Sequence, residues 1–442
     1  MTSRDIVGRA PTPPTGTRNR NPVGTRPGRR YPWLVFALAF GLLLSDYMSR
    51  QVLSAVFPVL KTEWSLSDAH LASLSSVVAL MVGLLTLPLS LVADRWGRVR
   101  SLVVMAVVWS LATLLCAVAG NFHEMLAARF LVGVGEAAYG SVGIAVVLSI
   151  FAPRVHAALG GAFMAGGSFG SVVGVALGGS LAVQVGWRWS FAAMAVFGLL
   201  LVAVFRAVVS ERKLDEYAVE PRLPAAAGGR APFASLFTNP ALLCAYIGGG
   251  LQMFTPAVLL SWAPSYFNRY YHLPADEAAA TAAVFVLLIG SGMVICGIIS
   301  DRFARSGSSR QWTAAVAFCV VALVCLSAGF GMTSGTTSLL LIGCGAFFAA
   351  GSSGPTAAVV TELSHSSARA TGLGALTVAN NVLGLALGPF VVGTLADHLG
   401  LLGALRLAPL MYAVAIAALL LGRRYHPAGK LRLARLALST AR

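Results

Sequence analysis

Residues 90–100 read Ser90-Leu-Val-Ala-Asp94-Arg95-Trp-Gly97-Arg98-Val-Arg100, a short charged stretch between two long apolar runs. Three arginines fall within it, while no Lys or Arg stands between residues 62 and 94 or between 101 and 128. Such a stretch reads as a loop joining two membrane passes, with its cations held on one side of the bilayer. Its Asp94-Arg95 pair returns as Asp301-Arg302, 207 residues later, at the end of another apolar run. Gly133-x-Gly135 recurs as Gly343-x-Gly345 at an offset of 210, and Gly170-x3-Gly174 as Gly384-x3-Gly388 at 214. Near-constant offsets indicate two halves of similar build, which in secondary transporters meet at a central cavity.

Working outward, apolar runs fall near 33–60, 68–92, 101–120, 124–151, 157–185 and 188–209. Six more fall near 240–268, 275–300, 311–331, 336–363, 366–396 and 402–422. Each reaches the roughly 20 residues that cross about 30 Å of hydrocarbon. Of the 442 residues, 57% are hydrophobic and 11% charged, against about 25% charged in soluble domains. Mean hydropathy is +0.79. A soluble enzyme, a coiled coil and a disordered regulator are excluded. The expected fold is an all-α polytopic membrane protein, with twelve transmembrane helices in two six-helix halves around a central cavity. Residues 1–31 read as a disordered basic tail, 32–209 as the first half, 210–239 as a polar central loop, 240–424 as the second half and 425–442 as a second basic tail.

The chain has 32 Lys and Arg against 16 acidic residues. On the twelve-span layout 26 of the basic residues lie on the side of the termini and central loop, and 4 (Lys61, Arg188, Arg269, Arg406) on the other. Both termini are therefore expected in the cytoplasm of a multi-pass plasma (inner) membrane protein. The excess charge is a topology signal, and no nucleic-acid partner is implied. The six cysteines lie inside apolar runs without paired spacing, which reads as buried free thiols with no disulfide or metal framework.

The 90–100 loop resembles the signature loop of the major facilitator superfamily, where Gly-x-x-x-Asp-Arg-x-Gly-Arg is typical. Ser90 stands here in place of the first Gly. The resemblance implies a transporter, and it implies a cytoplasmic gate built from Asp94, Arg95, Gly97 and Arg98 with Asp301 and Arg302. Cations at the end of span two also face the negative end of its helix dipole, and Asp94 can pair with them in one state and release them in another.

Two spans carry charge at membrane depth. Span one holds Asp46 and Arg50, four apart; span four holds Arg129 and Glu136, seven apart. Each pair shares a helix face. Because the spans run oppositely, the carboxylates share one depth and the guanidiniums another. Intramembrane charge costs about 2.5–3.5 kcal/mol per group and is a functional signal. Arg50 and Arg129 are expected to bind a substrate anion, since a guanidinium offers a planar fork and keeps its proton. Glu136 and Asp46 are expected to carry a coupling proton. Tyr47 and Tyr139 flank these charges. Gln252, Asn380 and Asn381 are polar at depth in spans seven and eleven, and complete the expected substrate-binding set. Pro256 and Pro264 mark span seven for a kink.

The Arg-Glu pattern is similar to that of two branches of the superfamily, the anion:cation symporters and the spinster-like carriers. Gly135-Glu136-Ala137-Ala138-Tyr139 looks similar to the spinster segment. Both branches place an acid immediately before the span-one Arg, where Ser49 stands here; Asp46 lies one turn earlier. Span five resembles the superfamily's antiporter motif with Val175 in place of its Pro, though its glycines serve close helix packing in the first place. No P-loop, HExxH or GxSxG occurs, so no ATP site, catalytic residue, metal or cofactor is expected. The expected activity is secondary active transport of a small organic anion with protons, by a monomer. Alternatives are a spinster-like carrier of lysolipid or another amphipathic substrate, and a drug or metabolite exporter by proton antiport.

Overall fold

The computed structural model describes residues 30–152, 155–217, 235–304, 309–365 and 368–440. The first half comprises α1 (Arg30–Glu63), α2 (Asp68–Trp96), α3 (Arg98–Val118), α4 (Phe122–Glu136), α5 (Tyr139–Ser149), α6 (His156–Gln184) and α7 (Trp187–Val208). Two short helices, α8 (Glu211–Tyr217) and α9 (Ser235–Thr238), belong to the central loop, whose residues 218–234 lie outside the described residues. The second half comprises α10 (Pro240–Gln252), α11 (Phe254–Tyr270), α12 (Ala275–Ala304), α13 (Arg310–Gly331), α14 (Thr336–Ala349), α15 (Ser353–Leu363), α16 (Arg369–Ala379), a π-helical segment (Asn380–Ala386), α17 (Leu387–Leu407) and α18 (Met411–Thr440). Among the described residues there is no strand.

Among the described residues, eleven helical stretches are long and apolar enough to cross a membrane. The last, Thr371–Arg435, has 65 residues, about 100 Å of helix at 1.5 Å per residue and three times a bilayer. It turns at Gly400, whose φ of 72° an L side chain rarely adopts. It therefore makes two passes, and the total is twelve.

Helix ends follow local chemistry. Ser67 accepts from His70 N at the start of α2, and Asn121 from Glu124 N at the start of α4. In the first half α1 lies along the glycine stripe of α6: a Cβ at Gly170 would stand 2.4 Å from Leu44 O, and one at Gly174 2.7 Å from Met48 Cα. Val175 is buried in the core. The halves meet where α1 packs on α11, α2 on α17 and the π segment, and α6 on α12.

Several expectations need correction. Spans four, ten and eleven are interrupted rather than continuous, at Ala137–Ala138, Ala350–Ser352 and the π segment, while span seven, expected to kink, breaks at Met253. The terminal stretch from residue 425 continues α18 as helix to Thr440, through Pro427. Arg30 and Tyr31 begin α1, while residues 1–29 lie outside the described residues. Four of the cysteines are buried, but Cys325 is half-buried and Cys344 exposed, with their sulfurs 3.7 Å apart. Apolar runs hide such features because a lipid-facing wall and a protein core use the same side chains.

Candidate functional site

The break after α4 creates the centre of the site. Glu136 ends that helix, and the interruption frees the Ala137 carbonyl, which Thr86 Oγ1 on α2 meets at 2.6 Å. Broken helices survive in hydrocarbon when a neighbouring hydroxyl takes such a carbonyl. The equivalent break in the second half frees Ala349 O. Gln252 Nε2 donates to it at 2.7 Å and Tyr412 Oη at 2.8 Å.

Beside the first break, Arg50 Nε donates to Glu136 Oε2 at 2.6 Å and stands 3.7 Å from Asp46 Oδ1. Asp46 and Glu136 are 3% and 2% exposed. Asp46 Oδ1, within ion-pair reach of Arg50, and Glu136 Oε1 are both buried and make no hydrogen bond among the described residues. The Arg50 guanidinium carbon lies 5.3 Å from the Tyr47 ring centroid, within cation–π range. The Arg50 Nη atoms make no hydrogen bond among the described residues. Its fork is thus held at one edge and free at the other.

Arg129 is placed differently from its expected role. It is 1% exposed and meets backbone oxygens: Ser49 O at 3.0 Å, Leu74 O at 3.3 Å and Arg50 O at 3.5 Å. No carboxylate pairs with it among the described residues. It ties α4 to α1 and α2 and carries a buried positive charge close to Arg50. Both arginines line a cavity of about 60 Å³ between the halves, with Gln51, Ser75 and, from the second half, Ser261 and Leu385. Gln51, Ser75 and Ser261 were not expected; short polar residues in apolar runs give no sequence signal of direction.

The remaining expected residues divide. Tyr139 is fully buried against Trp109 and donates to Ala39 O at 2.8 Å, a core contact rather than a cavity one. Tyr47 packs over Gly167. Gln252 serves the broken carbonyl, and Asn381 Nδ2 donates to Thr377 O at 2.9 Å. Among the described residues, Gln252 Oε1, Asn380 Oδ1 and Asn381 Oδ1 remain buried acceptors without hydrogen-bond partners. Asn381 faces Gly83 of the first half, whose Cβ would stand 3.0 Å from the Asn381 Cβ.

The family model described as "Major Facilitator Superfamily" matches residues 38–382 of this chain. The chain belongs to that superfamily. This facilitator is 26% identical over 351 residues to the "Probable L-galactonate transporter" of Escherichia coli (strain K12), which covers 76% of each chain. It is 25% identical over 246 residues to "Protein spinster homolog 1" of Xenopus laevis, covering 53% of this chain and 46% of that one. A solved bacterial homolog of the human lysosomal transporter Spinster, inward-facing and unoccupied, aligns with a TM-score of 0.73 at 20% identity, covering 94% and 97%.

The facilitator's two ends are built unequally. At the end bearing Asp94 and Asp301, no ion pair joins the expected gate residues across the halves among the described residues. Asp94, Arg95, Asp301 and Arg302 are exposed, and Asp94 pairs with Arg98 of its own half at 3.3 Å. Gly97 adopts φ 103° there, and Glu211 of α8 accepts from Val99 N at 2.7 Å, capping α3. At the opposite end the halves are tied. Arg269 of α11 grips Asp68 of α2 with Nη1 at 2.9 Å and Nη2 at 2.7 Å. Asp397 of α17 accepts from Asp68 N at 2.7 Å and Ala69 N at 3.1 Å, so it caps α2 from the other half. Lys61 joins Asp68 at 2.6 Å. Sequence reasoning missed this clasp because its members sit singly at span ends.

Proposed function

We propose that this chain is a secondary active transporter that moves a small organic anion with protons by alternating access. The side of the tails is cytoplasmic, as the distribution of basic residues supports. The transport domain halves are 32–209 and 240–424. The observation that carries the reading is the Arg50 fork, held at one edge by Glu136 and Asp46 and free at the other, beside a second buried cation. A free guanidinium edge at membrane depth suits a carboxylate. Asp46 lies within ion-pair reach of Arg50, which supports it as the stand-in for the acid that Ser49 replaces. The L-galactonate relative supports an organic acid as cargo. With the Asp68–Arg269 clasp closed, the described state is shut toward the outside.

The cycle follows from charge. Asp46, Arg50, Arg129 and Glu136 sum to zero when both acids are ionised. A proton on either carboxyl loosens its hold on Arg50 and leaves one net positive charge for the anion to meet. Reclosing the Arg50–Glu136 contact expels both on the other side.

Purified protein in liposomes with a trapped pH dye tests this. Sugar acids, short and aromatic carboxylates, and lysolipids are added in turn, with empty liposomes and the Glu136→Gln protein as controls. Lumen acidification by one acid class, lost in the variant, is the expected result. A spinster-like carrier is the second reading, favoured by the Gly135–Tyr139 segment and the spinster relative. Labelled lysolipid crossing the bilayer without proton flux would establish that reading and remove the first.

A further inference from the structure

A second cavity, remote from the charge cluster, lies on the side of the tails, where span seven begins, span ten ends and α18 leaves the bundle. Its volume is about 310 Å³, at the lower bound of ligand-sized clefts. Its floor is apolar, with Leu236, Leu242, Leu363 and Leu433. Its rim carries Arg432, Arg435 and His365, and no Asp or Glu lines it. Arg432 spends Nη1 on Thr238 O at 2.7 Å, and Arg435 makes no ion pair or hydrogen bond among the described residues. The nearby Glu362 is already engaged by Lys430 at 2.6 Å. Ser364, 2% exposed, lines the same cavity, and its buried hydroxyl has no hydrogen-bond partner among the described residues.

Two guanidiniums over a leucine floor, with an orphaned hydroxyl beneath, form an amphipathic anion site rather than a structural ion-pair network. We infer that this cavity binds a phosphate-bearing anion whose group sits between Arg432 and Arg435, with apolar atoms against the leucines. Basic pockets where helices leave a membrane are suited to anionic lipid headgroups, and a free phosphate offers the same oxygens. Arg432 and Arg435 stand on α18, so occupancy would pin that helix to the start of span seven and the end of span ten. The site is independent of the central cavity and of the cargo.

The test uses the full-length protein in neutral detergent micelles, following its melting midpoint. Phosphatidylglycerol, phosphatidylcholine and inorganic phosphate are titrated separately. The variants are Arg435→Gln, which breaks no contact in the fold, the double variant Arg432→Gln with Arg435→Gln, and Arg212→Gln as a control on an exposed basic residue outside the cavity. Each lost charge is expected to weaken binding about fivefold, the double about thirtyfold. Saturable stabilisation by phosphatidylglycerol but not phosphatidylcholine, weakened in the two cavity variants alone, assigns the site to lipid. Saturation by inorganic phosphate with the same variant pattern assigns it to a soluble phosphate. Equal response of the wild-type and Arg435→Gln proteins to both anions overturns the proposal.

Discussion

Replacing Asp68 by Asn removes the charge at the centre of the clasp at the end away from the tails and leaves its shape. Lys61 and Asp68 both belong to the first half, so their contact changes little when the halves separate. The Arg269 pair crosses between halves and counts only in the closed state. It is bidentate, and the side chains are 4% exposed for Asp68 and 24% for Arg269. A charge-assisted hydrogen bond contributes about 1.5–3 kcal/mol when well buried. With Arg269 partly in water, and Asn still accepting one bond, the loss is about 2 kcal/mol. That shifts the closed-to-open ratio about thirtyfold. The assay replaces the six native cysteines and places one at Ser75, which lines the central cavity. A membrane-impermeant maleimide is added from the side away from the tails. The parent labels slowly, and Asp68→Asn and Arg269→Gln each label about thirtyfold faster. Glu63→Gln, which breaks the Arg188–Glu63 pair within the first half at the same end, leaves the rate unchanged. Parental labelling in both clasp variants, with the protein folded, refutes the role given to this pair.

Three further outcomes are expected. Gly97→Ala places a Cβ at φ 103° and 2.5 Å from Glu211 Oε1, so it costs about 1–3 kcal/mol and lowers the melting midpoint in detergent; an unchanged midpoint would falsify the capping account of Glu211. Gln252→Leu removes one of two donors to Ala349 O, costs about 1 kcal/mol and leaves transport intact, because Tyr412 remains. Complete loss of transport in that folded variant would put Gln252 on the substrate instead. Arg129→Lys cannot span Ser49 O, Leu74 O and Arg50 O together. It is expected to reduce thermal stability and transport alike, and a stable, fully active variant would show that Arg129 does not position α1 against α4.

The span pattern, the repeat and the charge cluster were legible because each rests on a one-dimensional signal. Apolar length counts passes, offsets near 210 reveal duplication, and charge inside hydrocarbon is rare enough to stand out. What was not legible depends on which way a side chain points. Arg50 and Arg129 look equivalent in sequence, yet one meets carboxylates and the other backbone oxygens. The difference arises because Glu136 ends α4 at the break and turns toward α1, leaving Arg129, two turns earlier, beneath the carbonyls of Ser49 and Arg50. Tyr139, three residues beyond Glu136, falls on the core side of the new helix. The clasp at Asp68, Arg269 and Asp397 joins residues 201 and 329 positions apart, and no local pattern announces such a meeting. The family resemblance drew attention to the Asp94 end, while in the described state the ion pair between the halves forms at the other.

The placement of the charges bears on the direction of coupling. Two carboxylates share one guanidinium, while the second guanidinium spreads its charge over neutral carbonyls. The cluster is therefore balanced only when both acids are ionised, and any single protonation leaves an excess positive charge in low dielectric. An anion relieves that excess, and a bound anion in turn raises the affinity of the carboxyls for a proton. Linkage makes the two effects equal in free energy. Under the proposed reading, proton and anion thus favour each other's binding at the same site and at the same step. An exchanger needs the opposite sign, with proton entry driving cargo out. A cationic cargo would have that sign here, since it competes with the proton for Asp46 and Glu136. Under the proposed reading the charge of the cargo, rather than any additional residue, therefore decides between symport and antiport in this cluster, and the half-free Arg50 fork favours an anion.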